Sequence, residues 1–86
     1  MHIYMQAIDG KEGVPRYYHL VLQEELLGGW SLLREWGLSG ARGRSKRENF
    51  SSRAEAEQSL IHYRDAQLSR GYRVVFVQGD EGSSNA

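Results

Sequence analysis

The chain has 86 residues, with eleven basic and eleven acidic side chains, ten glycines, one proline and no cysteine. That length fits one small domain, burying roughly 60–65% of its unfolded surface, and the lack of cysteine excludes a disulfide scaffold, a thiolate metal site and a cysteine nucleophile. The longest apolar run, Val74 to Val77, is far short of the ~20 residues a membrane span needs. The start, Met1 to Gln6, lacks the basic and apolar stretches of a signal peptide, so a cytoplasmic location with no membrane contact is expected.

Net charge is zero, but its distribution is uneven. Residues 1–33 and 48–86 are each acidic, whereas residues 34–47 hold Arg34, Arg42, Arg44, Lys46 and Arg47 against Glu35 alone. A cationic block inside an otherwise acidic chain sets the local potential that an anionic partner meets.

In chain order, Ile3–Ile8 reads as a short first strand, and Asp9–Pro15, polar and punctuated by Gly and Pro, as a loop. Arg16–Glu24 alternates, with Tyr18, Leu20 and Leu22 on one face and Tyr17, His19, Val21 and Gln23 on the other. Leu26-Leu27-Gly28-Gly29 supplies turn chemistry, and Trp30–Trp36 resumes the alternation, with Trp30, Leu32, Arg34 and Trp36 sharing a side. The two strands form an antiparallel hairpin. Gly37–Gly43 reads as a three-glycine connection to a polar, half-exposed strand, Arg44–Phe50, whose Arg44, Lys46, Glu48 and Phe50 share a face.

The helix signal is the cleanest. Ser52 and Glu55 make a capping box, Ala56, Leu60, Tyr63 and Gln67 form one stripe, and Gly71 stands at the C′ position. Tyr72–Val77, β-branched and aromatic, is a last strand. The pattern predicts an α+β fold, one curved antiparallel β-sheet of about five strands with a single α-helix, about 52–70, packed on one face. The domain is expected to span 1–78, with a disordered tail at 79–86.

The run Trp36-Gly37-Leu38-Ser39-Gly40, then Gly43, Phe50, Ala56, Leu60 and Gly71-Tyr72, resembles the WGR domain. That module is named for a Trp-Gly-Arg motif and occurs in DNA-dependent poly(ADP-ribose) polymerases and in small bacterial proteins. The resemblance implies a curved antiparallel sheet with one helix, and nucleic-acid binding in which the motif Trp packs against a terminal nucleotide. Trp36 matches that Trp and Gly37 the motif Gly. Leu38 stands where the family has Arg, so a guanidinium able to bridge to phosphate or a partner carbonyl is replaced by an apolar side chain.

The candidate nucleic-acid-binding residues are therefore Trp36 and Gly37 with Arg34, Arg42, Arg44, Lys46 and Arg47. The indole offers a stacking platform and the cations offer phosphate contacts. Against this stand a core role for Trp36 and a merely solvated role for the charge run. Gly37, Gly40 and Gly43 lack the Lys-Ser/Thr end of a P-loop and read as a hairpin connection. His19 and His62 have no second ligand at metal spacing, and Ser31, Ser39 and Ser45 no His–acid partner. The expectation is a non-enzymatic module that needs no cofactor and has DNA as its partner, acting as a monomer or weak dimer. The alternative is a protein partner bound at the Trp36–Leu38 loop.

Overall fold

The computed structural model describes residues 1–8 and 13–79. Five strands, β1 (His2–Ile8), β2 (Pro15–Glu24), β3 (Trp30–Leu38), β4 (Arg44–Phe50) and β5 (Arg73–Gln78), and one helix, α1 (Arg53–Ser69), follow in the order ββββαβ. Every pairing is antiparallel, and the sheet runs β4-β3-β2-β1-β5. The α+β architecture and the helix limits agree with the sequence pattern. Most of the expected 9–15 loop and the tail beyond Gly79 lie outside the described residues.

The β2–β3 turn fixes the register of the hairpin at the middle of the sheet. Gly28 and Gly29 have φ of 104° and 85°, in the left-handed region where a Cβ is strained. The Glu25 N–H donates to the Gly29 carbonyl at 3.0 Å, closing the turn and setting Trp30 opposite Glu24. Counting outward then pairs Leu22 with Leu32, Leu20 with Arg34 and Tyr18 with Trp36. A slip of one residue would send all of these to the opposite face.

Strand limits shift by at most one residue from expectation except at the end of β3. Strand β3 runs through Gly37 and Leu38 rather than stopping at Trp36, and the connection shrinks to Ser39–Gly43. The reason is steric. A Cβ on Gly37 would lie 2.9 Å from the Gly43 Cα, so the glycines let two backbones approach face to face and extend the hairpin. Gly40, at φ 83°, is the residue that turns the chain.

Helix α1 starts where its side chains dictate. The Ser52 hydroxyl accepts from the Glu55 N–H at 3.2 Å, and the Glu55 carboxylate accepts from the Ser51 hydroxyl at 3.0 Å. The far end closes in a Schellman motif, with the Tyr72 N–H on the Gln67 carbonyl at 3.0 Å and the Gly71 N–H on the Leu68 carbonyl at 3.1 Å. Gly71 takes φ 96° there, and this backbone reversal delivers Tyr72 back over the sheet.

Ala56, Leu60 and Gln67 are buried against the sheet, as the stripe requires. They meet Ile3, Met5, Tyr18, Leu20, Leu22 and Leu32, with Trp30, Trp36, Phe50, Tyr63 and Tyr72 packed around them. Each fully buried aliphatic side chain contributes roughly 1.5–3 kcal/mol. The helix lies chiefly across β2, β3 and β4, so β5 is left without cover on that face.

Candidate nucleic-acid interface

The register brings a compact group to one end of the helix-side face. Trp36 lies between its cross-strand neighbours Tyr18 on β2 and Arg44 on β4, and Arg34 lies between Leu20 and Lys46. The Trp36 and Tyr18 rings are nearly parallel, with centroids 5.8 Å apart and planes 16° apart. Tyr72, returned by the Schellman turn, meets Tyr18 edge-on at 6.1 Å.

Arg34 holds this arrangement together. Its guanidinium lies 4.0 Å from the Tyr63 ring centroid and 5.4 Å from that of Trp36, and its Nη1 donates to the Tyr18 hydroxyl at 3.2 Å. Partial burial works against the charge. The Tyr18 hydroxyl bond, with the fields of Tyr18, Tyr63 and Glu48, outweighs it and raises the pKa above its ordinary value. Arg34 Nε is buried with no hydrogen-bond partner, so the charge is held mainly by π faces rather than by an ion pair.

Two hollows flank the indole. An open cleft of about 870 Å³ separates this end of the sheet from the C-terminal half of α1, walled by Tyr18, Arg34, Trp36, Tyr63 and Tyr72, with Arg16 and Arg70 also lining it. A shallower hollow of about 270 Å³ lies on the other side, lined by Trp36, Leu38, Arg42 and Arg44. Trp36 is half-buried: it packs against the core and borders both hollows. The two readings of this side chain are therefore compatible.

Of the candidate residues, Arg34, Trp36, Arg44 and Lys46 share the face, and Arg42 borders the indole from the 39–43 connection. Arg47 does not join them. It pairs with Leu33 on the opposite face, where its Nη1 lies 3.7 Å from the Glu25 carboxylate that also accepts from the Ser31 hydroxyl. Gly37 is likewise on that face, with Tyr17 Cε1 lying 3.5 Å from where its Cβ would be. Its role in the structure is to let the Gly43 backbone approach, whereas it is Gly43 that leaves room for the Tyr17 ring. Leu38 returns to the helix side, 46% exposed, opposite Arg16.

The sequence pattern places Arg16 and Tyr18 on an alternating strand, Tyr63 in the helix stripe and Tyr72 at the start of the last strand, and gives none of them a part in this site. Counting across the Gly28-Gly29 turn would have found two of them, since it sets Tyr18 against Trp36 and Arg16 against Leu38. The face away from the helix carries a separate aromatic group. Tyr4 stacks on Tyr17 at 6.2 Å, and His19 lies 5.6 Å from His2 and 5.7 Å from Tyr4. Burial and then the neighbouring His2 push the His19 pKa below its ordinary value, opposed by Glu35.

Among the described residues there is no group of three or more His, Cys, Asp or Glu able to hold a metal, and no helix is long and apolar enough to cross a membrane. What the fold and this face define is a small antiparallel sheet with one helix and a tryptophan-centred cationic end. The WGR domain model matches residues 1–77, and the chain belongs to that family. It is 28% identical over 71 residues to Uncharacterized protein y4dW of Sinorhizobium fredii, a match covering 83% of this chain and 35% of that protein. The chain thus spans about a third of the length of this relative. No solved structure matches it.

Proposed function

We propose that the chain is a non-catalytic module that binds nucleic acid, DNA in the first instance, along the face bearing Trp36. The observation that carries this reading is the grouping of Trp36, Arg34, Arg44 and Lys46, contributed by two adjacent strands to one end of one face. Membership of the WGR family supports it, since the WGR domain is a nucleic-acid-binding type of module in poly(ADP-ribose) polymerases. In this reading the indole stacks on a sugar or base at a DNA end. Arg42, Arg44 and Lys46 meet phosphates, and Arg34 holds the ring in place.

The expected strength follows from those parts. Stacking on one aromatic contributes about 1–3 kcal/mol, so Trp36→Ala weakens binding by roughly 5- to 150-fold. Three phosphate contacts give a log–log salt slope of about −2.7, or a loss of roughly 40-fold between ~50 and ~200 mM salt. Fluorescence anisotropy with nicked and blunt duplexes at low salt is the test. The absence of binding at high micromolar protein would end the proposal.

A second reading has one observation in its favour. Leu38, 46% exposed beside Trp36, gives this end an apolar corner suited to a protein partner. That reading expects binding to be lost with Leu38→Asp and to be indifferent to salt.

A further inference from the structure

The two edges of the sheet are chemically opposite, and only one of them can face its own copy. The β4 edge carries Arg44, Lys46 and Arg47 against Glu48 alone, so two such edges meet with an excess of positive charge on both and repel overall. The β5 edge reads Arg73-Val74-Val75-Phe76-Val77-Gln78, every residue of it exposed. Val75, Phe76 and Val77 are 57%, 53% and 55% exposed, in a chain that otherwise keeps its sheet edge polar.

A β-bulge makes this strand match itself. Against β1, Val74 and Val77 oppose Met5 and Ile3 on the helix side, whereas Arg73, Phe76 and Gln78 oppose Gln6, Tyr4 and His2 on the open side. The extra residue is Val75, at the register shift between Tyr4 and Met5. Without it Val74 and Val77 would point to opposite faces. With it, a two-fold axis through the middle of the strand sets Val74 on Val77, Val75 on Phe76 and the lone charge, Arg73, on the neutral Gln78.

The surface beside the strand is apolar and charge-balanced as well. A groove of about 290 Å³ between β5 and α1 is lined by Ile3, Leu60, Ile61, Val74 and Val77. The charged residues at its rim are already paired within the chain, Arg53 with Glu57 at 2.8 Å and Arg64 with Asp65 at 2.9 Å. A two-fold contact places like against like, and this neutral patch satisfies that condition.

We infer that β5 pairs antiparallel with β5 of a second copy, joining two five-stranded sheets into one of ten strands, with Ile61 and the groove packing alongside. The exposed surface of Val74 to Val77 with Ile61 amounts to roughly 400 Å² per copy, so a pair removes at most about 800 Å² and belongs to the weak class of interfaces. The bulge interrupts the new ladder at its centre and keeps the association weak and reversible. Trp36 stands on β3, with β2 and β1 between it and β5, and stays open in the pair.

Sedimentation equilibrium on the 86-residue chain, from about 10 µM to about 1 mM, tests this, with an interface of this class expected to dissociate within that range. The expected result is a mass rising from one copy toward two, unchanged or strengthened when salt is raised. Val75→Lys should weaken the association at least tenfold, and Lys46→Val on the other edge should leave it unaltered. Amide exchange of the unsubstituted chain should show protection growing with concentration in β5 and not in β4, a readout that stands even if a variant fails to fold. A single copy throughout, association lost with salt, or protection growing at β4 would each overturn the inference.

Discussion

Replacing Gly43 by Ala tests the stereochemistry of the β3–β4 hairpin directly. A Cβ at that position would overlap the Tyr17 hydroxyl and would stand 2.6 Å from the Trp36 carbonyl oxygen and 3.1 Å from Tyr17 Cζ. Two different groups must then yield. The Tyr17 ring is a half-buried side chain on the open face and can swing away, giving up its stack on Tyr4, a contact of about 0.5–1.5 kcal/mol. The Trp36 carbonyl belongs to a strand paired on both sides and cannot move without bending β3, so the backbone share should resemble overpacking, about 1–3 kcal/mol. The sum, about 1.5–4.5 kcal/mol, lowers the midpoint of thermal unfolding by roughly 6–36 °C in a domain of this size. Urea unfolding followed by tryptophan fluorescence measures it. In a double-mutant cycle with Tyr17→Ala, the cost of Gly43→Ala should fall by the ring's share and no further, because the carbonyl clash persists. A neutral Gly43→Ala, or a cost that Tyr17→Ala abolishes completely, would refute the account of why that hairpin needs two glycines.

Reversing charge on each face separates the cations that share a patch from the one that does not. Arg44→Glu with Lys46→Glu should weaken DNA binding at least 30-fold and flatten the salt slope by about 1.8, while Arg47→Glu stays within about twofold; anisotropy at two salt concentrations reads both. Leu20, wholly buried between Ile3 and Arg34, should cost about 2–5 kcal/mol as Leu20→Ala, measured by denaturant unfolding. His19 has a folded pKa below 6.5, so the unfolded chain binds its proton first. Stability should therefore be intact at neutral pH and decline as pH falls through the ordinary histidine range, against the pull of Glu35. Unfolding midpoints between about pH 7.5 and 5 should show this slope shrinking in His19→Gln.

The fold was largely legible because its signals are local. Alternation in 16–24 and 30–36, the Ser52–Glu55 start and the Gly71 stop each act within a few residues, and the structure follows them. What the pattern missed at Gly37 depended on a residue elsewhere in the chain. Whether a glycine ends a strand or lets two strands meet is decided by the backbone opposite, here Gly43. The candidate site divides the same way. Arg34, Trp36, Arg44 and Lys46 follow from period two plus one hairpin register. The separation of Arg47 also follows from period two, but its capture by Glu25 depends on how the β2–β3 turn folds back. Tyr63 and Tyr72 reach the site only through helix packing and the Schellman reversal, which no spacing along β3 reveals.

The guanidinium wedged between the indole at 36 and the ring of Tyr63 has one more implication. An aromatic whose rotamer is selected during folding has no such freedom left to surrender on meeting a ligand, a saving of about 0.5–1.5 kcal/mol. The same rigidity narrows the choice of guests. A planar group must arrive at the tilt already set, so tolerance for varied shapes is exchanged for readiness.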